Sequence, residues 1–201
     1  MATQKLETEV RREQIVQAAL NIVATQGLRK LSVAGIARRI GLVPSAIYRH
    51  FQSKDDVLDA AIDQFGEQFL VNTCSLGEET PDPLECLRSL LRRHVQMVRE
   101  NQLLAMPRFL FADDVHSGHP ERKAKVLMII RRYLARVGEM VQQGQGAGRI
   151  RADIDAGTIA LMLLGITQQT GFLWLMSDGM FDVTKHAERA WKIFSEAIKA
   201  K

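Results

Sequence analysis

The sequence predicts an all-α protein built from a small N-terminal helical domain and a larger C-terminal one. Apolar residues recur at helical spacing along most of the 201 residues, and the alternation typical of strands is nearly absent. A polar segment with two prolines, residues 75–83 (SLGEETPDP), separates the two parts. We therefore expect an N-terminal domain over residues 1–54, a connecting helix over residues 53–74, and a C-terminal domain over residues 81–201.

The N-terminal domain begins with three predicted helices. The first covers Glu9–Gln26, and Gly27 fits the left-handed position that often follows a helix end. Ser32 can cap a second, short helix over Val33–Ile40. After a break at Gly41, a third helix runs over residues 44–51 and begins with proline, a residue favoured in a first helical turn.

The later helices follow from caps and apolar stripes. Ser53 and Asp56 form a variant of the capping box at the start of a fourth helix, which we expect to reach past Leu70. Further helices are predicted over residues 84–100, 102–111, 121–143, 153–176 and 183–200.

Residues 31–54 (LSVAGIARRIGLVPSAIYRHFQSK) contain the most informative pattern of the chain. Two short helices separated by a turn that opens with glycine form a helix-turn-helix. In this motif the second helix enters the DNA major groove, and its N-terminal residues face the base edges. Ala37 is small enough to let the two helices approach closely. The pattern thus predicts a helix-turn-helix DNA-binding domain.

The distribution of charge agrees with a nucleic-acid partner. Residues 1–54 carry nine basic and three acidic side chains, a net charge of +6 in a chain whose total is +4. A concentration of positive charge at one end suits a polyanion, although a solvated basic face would have the same composition.

The helix-turn-helix segment resembles the TetR family of bacterial regulators over about residues 10–65. The C-terminal part resembles the family only in length, helical content and the polar break before it. The resemblance implies a homodimeric repressor that binds a palindromic operator in double-stranded DNA and is released by a small-molecule effector in its C-terminal domain. The residues that match the family pattern are Ser32, Val33, Ile36, Ala37, Gly41, Leu42, Ile47, Tyr48, His50, Phe51, Ser53 and Lys54.

The resemblance also implies the DNA contacts, position by position. Two residues begin the helix that lies against phosphate, and three form the exposed start of the recognition helix. Tyr48 and Lys54 match positions that contact phosphates, and His50 matches a position next to the DNA backbone. Arg49 is exposed by its helical spacing, which lets it reach a base or a phosphate. Val43 is a departure, because the family often has a Ser or Thr cap there. The predicted DNA-binding residues are Ser32, Val33, Pro44, Ser45, Ala46, Tyr48, Arg49, His50 and Lys54.

The C-terminal helices are rich in methionine, leucine and phenylalanine. Methionine packs adaptably, so such a bundle can enclose an apolar or amphipathic effector, although each of these residues can equally be plain core. The candidate pocket residues are His94, Met97, Met106, Phe109, Met128 and Gln168.

The last two helices are the predicted dimer surface, because they carry large apolar residues that need covering. A two-fold dimer would space two recognition helices about one DNA turn apart, as a palindromic operator requires. The candidate interface residues are Phe172, Trp174, Trp191, Phe194 and Ile198.

Other classes of protein are not favoured. We find no clustered nucleophile and base, no cofactor loop and no metal motif, so we expect no enzyme, no cofactor and no bound metal. The N-terminal residues lack a secretory signal, and the apolar run 159–176 is interrupted by polar residues, which favours a cytoplasmic protein without a membrane span. Two alternatives stay open: a constitutive regulator without effector, and a redox sensor using Cys74 and Cys86.

Overall fold

The computed structural model describes residues 2–74, 82–100, 108–109 and 119–200. Within these residues all regular secondary structure is helical, and one isolated backbone bridge joins Ile150 and Lys199. The prediction of an all-α fold is confirmed. The helices are α1 (Ala2–Gln26), α2 (Val33–Arg39), α3 (Pro44–Ile47), α4 (Lys54–Cys74), α5 (Pro83–Arg99), α6 (Pro120–Gly146), α7 (Ala156–Met176) and α8 (Val183–Ile198), with a short 3-10 helix at Leu28–Lys30.

Most helix bounds lie close to those that the sequence predicts, and those of α1, α3 and α6 differ. Helix α1 begins at Ala2, seven residues before the predicted start. Helix α6 continues through Gly144 to Gly146, where we expected a break. Gly144 has a packing role instead, since a Cβ atom there would lie 2.5 Å from Ile150 Cδ1 and 2.9 Å from Pro83 Cβ. Of the helix predicted over residues 102–111, only residues 108–109 are described, and both are helical.

The chain divides into two compact units, the first of which comprises Met1–Glu67 and Leu104–Val126. Its core forms where α1, α2, α3 and α4 bury their apolar faces, because residues at helical spacing on each helix point inward. Phe65 meets Phe109 edge to face, with ring centroids 5.9 Å apart. The fully buried apolar residues of α1 to α4 are Ile15, Ala19, Val23, Ile36, Ala37, Ile47, Val57, Ala61 and Ile62.

The first unit also contains the first turns of α6, which the sequence-based boundaries assign to the C-terminal domain. Arg122 on α6 is only 2% exposed, and its Nε donates to Asp59 of α4 at 2.7 Å. A second guanidinium nitrogen lies 3.0 Å from Asp55. Lys125 pairs with Asp63 at 2.6 Å, farther along the same two helices.

The second unit comprises Gln68–Leu103 and Leu127–Lys201. Helices α5, α7 and α8 pack against one another, each beginning at an aspartate whose side chain accepts a backbone N–H of the first turn. Glu188 of α8 forms salt bridges with Arg88 and Arg92 of α5, each with an N–O distance of 3.0 Å. The buried stripe of α8 is Val183, Ala187, Trp191, Phe194 and Ile198.

Helix α7 is long and apolar enough to cross a membrane by length and composition alone. Core helices of soluble proteins also pass that test, and one face of α7, with Ile159, Ala160 and Leu163, is fully buried within its own unit. This buried face of α7 is therefore part of the core of the second unit.

Candidate nucleic-acid interface and effector site

The start of α2 is fixed by its cap. The Ser32 side chain accepts the backbone N–H of Gly35 at 3.1 Å, and Ser32 itself has an extended backbone. Gly35 allows this close approach, because a Cβ atom there would lie 2.9 Å from Ser32 Oγ. The serine predicted to contact phosphate therefore also holds the helix end in place, while its residue remains exposed.

The turn between α2 and α3 has the geometry expected of a helix-turn-helix. Gly41 has a φ of 69°, the left-handed conformation that glycine adopts without strain. The next N–H, that of Leu42, donates to the carbonyl of Ala37 at 2.8 Å. Ala37 and Ile47 are fully buried, so α2 and α3 are held against each other at the positions that the sequence indicates.

The recognition helix α3 is shorter than predicted, since it ends at Ile47 and a tight turn carries the chain to Phe51. The N–H groups of His50 and Phe51 both donate to the Ile47 carbonyl, at 2.9 and 3.1 Å. Val43 gives no side-chain cap, as its identity implies, and Pro44 begins the helix. The tight turn leaves Tyr48 57% exposed beside Arg49.

A reciprocal cap begins α4, close to the predicted phosphate contact at Lys54. Ser53 Oγ accepts the N–H of Asp56 at 3.0 Å, and Asp56 accepts the N–H of Gln52 at 3.0 Å. This confirms the capping-box variant, with the aspartate bonding one residue earlier than in the usual box. Lys54 itself is exposed.

Two arginines have structural roles that the sequence did not reveal. Arg12 of α1 donates to the carbonyl of His50 at 2.7 Å, and its guanidinium lies 4.1 Å from the centre of the Phe51 ring. Arg39 donates to the Asn21 side chain at 2.7 Å. Both tie the helix-turn-helix to α1, and their partners are too distant in sequence for any local pattern to indicate them.

The predicted DNA-binding residues all lie in the first unit, at the start of α2, on α3 and the turn after it, and at the start of α4. Within the described chain, Arg49 and Lys54 form no ion pair with a carboxylate, so their charges are available to a partner. Six of the nine residues are exposed, namely Ser32, Pro44, Ser45, Tyr48, Arg49 and Lys54, and three are half-buried, namely Val33, Ala46 and His50.

In the second unit, the predicted pocket residue His94 belongs to a buried aromatic cluster. Its ring stacks on Phe69 with centroids 5.4 Å apart and lies 5.5 Å from the ring of Tyr133. Phe69 and Tyr133 also stack on each other, at 5.0 Å. His94 is 1% exposed, and burial lowers its pKa to about 3. The sequence singled out His94 alone, because the three residues lie on different helices.

The other candidate pocket residues differ in their burial and in the unit to which they belong. Met97 is buried in the second unit, whereas Phe109 is buried in the first. Met128 is 47% exposed and Gln168 is exposed. Met106 lies outside the described residues. Of the five described candidates, His94 and Met97 are the two that are buried in the second unit.

The candidate dimer residues also divide into two groups. Trp191, Phe194 and Ile198 are buried inside their own unit, while Trp174 is half-buried and Phe172 is exposed. A side chain buried in its own unit has little surface left for a second chain. The large apolar residues exposed on the same two helices are Leu161, Met162, Phe172, Met176 and Ile193.

Of the two cysteines, only Cys86 has a described side chain. It is buried, its sulfur lies 3.9 Å from Met140 Sδ, and burial raises the pKa of the thiol. Thiolate character and exposure promote oxidation, so this environment disfavours it. The side chain of Cys74 lies outside the described residues.

Comparison with known proteins settles the family. The profile of the bacterial regulatory proteins of the tetR family matches residues 15–67, and that of the tetracyclin repressor-like C-terminal domain matches residues 80–198. The chain belongs to the TetR family. It is therefore a transcriptional regulator whose helix-turn-helix binds DNA, and the predictions of family and fold are confirmed.

Regulators from several bacteria resemble this TetR-family chain over nearly its whole length. The fatty acid metabolism regulator protein of Bacillus subtilis is 23% identical over 94% of the chain and 95% of its own length. The regulator TtgR of Pseudomonas putida is 27% identical, over 92% and 90%. The solved structure of FadR from Bacillus subtilis in complex with stearoyl-CoA superimposes with a TM-score of 0.75 at 20% identity, covering 91% of this chain and 97% of that one.

Proposed function

We propose that this TetR-family protein is a transcriptional repressor that leaves a palindromic operator when an apolar or amphipathic small molecule binds its second unit. In this proposal the protein acts in the cytoplasm as a homodimer and has no enzymatic activity. The observation that carries the DNA-binding half is the exposure of Pro44, Ser45 and Tyr48 on a helix-turn-helix whose angle is fixed by buried residues.

In operator binding, some side chains contact phosphates and others contact bases. Lys54 and Arg49, which pair with no carboxylate among the described residues, carry positive charge that phosphates can neutralise, with release of counterions. Ser45 can donate to or accept from a base edge, and Ala46 can contact a thymine methyl group. Phosphate contacts position the helix, whereas base contacts select the sequence.

The effector half of the proposal is supported by the character of the second unit and by its relatives. A regulator named for fatty acid metabolism and a FadR structure with stearoyl-CoA point to ligands with long apolar parts. Helix α4 begins with Lys54 and also supplies Phe69 to the buried cluster, so it is an element through which a ligand can influence DNA binding. A ligand shifts this equilibrium only if it binds the released state more tightly.

The test measures the protein bound to genomic DNA fragments, its own upstream region included, across a series of salt concentrations. We expect one or more fragments to bind specifically, with an affinity that falls steeply as salt rises. Addition of long-chain acyl compounds is expected to dissociate that complex. A complex that persists with every such compound would favour a constitutive regulator, and binding that never exceeds that of random DNA would contradict the proposal.

A further inference from the structure

The aromatic cluster of Phe69, His94 and Tyr133 contains polar atoms that the protein itself does not satisfy. Both ring nitrogens of His94 and the hydroxyl of Tyr133 are buried, and none has a hydrogen-bond partner in the part of the chain that the structure describes. Most buried polar side-chain atoms in folded proteins have at least one partner. Three orphaned atoms on two side chains in ring contact therefore need an explanation.

Buried hydroxyls elsewhere in the same unit are satisfied within their own helices. Thr73 donates to the carbonyl of Phe69 at 2.9 Å, Thr167 to that of Leu164 at 2.7 Å, and Thr170 to that of Ile166 at 2.6 Å. These three buried threonine hydroxyls thus need no partner from outside their own helix. The cluster differs, since its polar atoms belong to rings that cannot fold back onto their own helix.

The chemistry of the cluster indicates what it can hold. Burial lowers the pKa of His94 to about 3 and raises that of Tyr133, so both side chains are uncharged near neutral pH. Together they offer one N–H donor, one nitrogen acceptor and one hydroxyl that serves as both. Neither side chain therefore carries a positive charge that would neutralise an anion, and an unpaired buried anion is strongly unfavourable.

We propose that His94 and Tyr133 bind the uncharged oxygen group, a hydroxyl or a carbonyl, of an otherwise apolar ligand. The 5.5 Å between the two ring centroids lets one oxygen-bearing group reach both side chains. Phe69, stacked on both, contacts the adjoining carbon skeleton. This inference names the ligand class for the effector site of the proposed function and rests on that proposal, and it distinguishes alcohols, ketones and esters from free carboxylates.

The first part of the test uses the full chain without ligand. Tyr133→Phe removes only the unpartnered hydroxyl, so its melting temperature is expected to equal or exceed that of the wild type, as is that of His94→Phe. His186→Phe is the matched control, because His186 packs on Phe181 at 5.2 Å in the same unit but lies outside the cluster. A clear fall in the melting temperature of Tyr133→Phe would overturn the inference, since the hydroxyl would then already be bonded in the fold.

The second part measures binding of decanol, its matched methyl ketone and decanoate by calorimetry at about pH 8, where decanoate is ionised. The alcohol and the ketone are expected to bind the wild type, and decanoate at least about tenfold more weakly. Tyr133→Phe and His94→Phe should each weaken alcohol binding by about fivefold to tenfold, and His186→Phe should leave it unchanged. Equal or tighter binding of decanoate, unchanged affinity in both cluster variants, or no binding of any probe would overturn the inference.

DNA binding, measured on the same preparations, separates this inference from the proposed function. Alcohol binding that requires His94 and Tyr133, in a protein that shows no specific DNA complex, supports the ligand site and contradicts the repressor. A specific DNA complex in a protein that binds none of the probes supports a regulator and overturns the ligand site.

Discussion

The helix-turn-helix and the buried cluster of the second unit place their polar groups in opposite ways. In the first unit most of the residues proposed to contact DNA are exposed, and buried apolar residues such as Ile47 hold them in position. In the second unit the polar groups of His94 and Tyr133 are buried and have no hydrogen-bond partner among the described residues. An exposed site can be altered without loss of stability, whereas in a buried site binding and stability are linked. The predictions below test this difference.

The largest expected effect is a loss of stability of the second unit in acid. His94 has a pKa of about 3 in the folded chain against an ordinary value of 6.5, so below about pH 6.5 the unfolded chain binds a proton that the folded chain does not. Above pH 6.5 the burial of His94 does not lower the free energy of unfolding. Below pH 6.5 that free energy falls by about 1.4 kcal/mol per pH unit as the pH drops toward 3. Urea unfolding at several pH values measures the slope.

The control for this prediction is His94→Phe, which lacks the titrating ring. The difference between the two proteins in unfolding free energy should grow as the pH falls from about 6 to 4, by roughly 2 to 3 kcal/mol. Parallel curves for the two proteins over this range would contradict the burial of an uncharged His94.

The second prediction concerns Arg122 in the first unit. Arg122→Met removes the partner of Asp59 and Asp55, and Asp59 is only about one-third exposed. We expect a loss of about 2 kcal/mol, less than for a fully buried pair because solvent screens both carboxylates. The more exposed pair of Lys125 and Asp63 gives the control, since Lys125→Met should lose less than about 1 kcal/mol. If the two substitutions lowered the free energy of unfolding in urea equally, the burial of Arg122 would not explain how strongly its ion pairs stabilise the fold.

The third prediction tests whether the exposed site separates binding from stability. Lys54→Ala should weaken DNA binding by about tenfold and reduce the slope of log affinity against log salt by about 1, without a change in melting temperature. Lys185→Ala, an exposed lysine on α8, should change neither quantity. Fluorescence anisotropy across a salt series provides both numbers, and an unchanged slope in Lys54→Ala would remove Lys54 from the interface.

The smallest expected effect comes from Ser32, which serves both the fold and the interface. Ser32→Ala removes the cap on Gly35 and should destabilise the first unit by about 1 kcal/mol. Ser45→Ala is the comparison, because Ser45 is exposed on α3. Removal of this hydroxyl should alter the affinity for DNA and leave the midpoint of urea unfolding unchanged. A stable Ser32→Ala variant would mean that the helix end does not depend on the cap.

The sequence indicated those parts of the fold that depend on neighbouring residues. Gly41, the Ser32 cap and the pairing of Ser53 with Asp56 are local features, and the structure confirms each. The pattern could not indicate that α6 supplies Arg122 to a carboxylate of α4, because the two residues are 63 positions apart. For the same reason the sequence alone could not indicate that the start of α6 contacts α4.

The same distinction between local features and contacts distant in sequence applies to the candidate sites. The helix-turn-helix residues lie in one segment of 23 positions, Ser32 to Lys54, so spacing alone brings them together. The cluster around His94 needed coordinates, since Phe69 and Tyr133 come from other helices and neither belongs to a motif. The apolar composition of α8 did suggest an interface, but composition could not tell that Trp191 and Phe194 point into their own core and Ile193 away from it.

The most direct test of the account is selection of binding sites from random-sequence DNA by the purified full-length protein. Two copies of the exposed start of α3, related by a two-fold axis, should enrich a palindrome whose half-sites lie about one helical turn apart. The enriched site should bind at least about a thousandfold more tightly than random DNA at the same salt concentration. Failure to enrich any sequence, or an enriched site without two-fold symmetry, would contradict the central claim of a homodimeric, sequence-reading repressor.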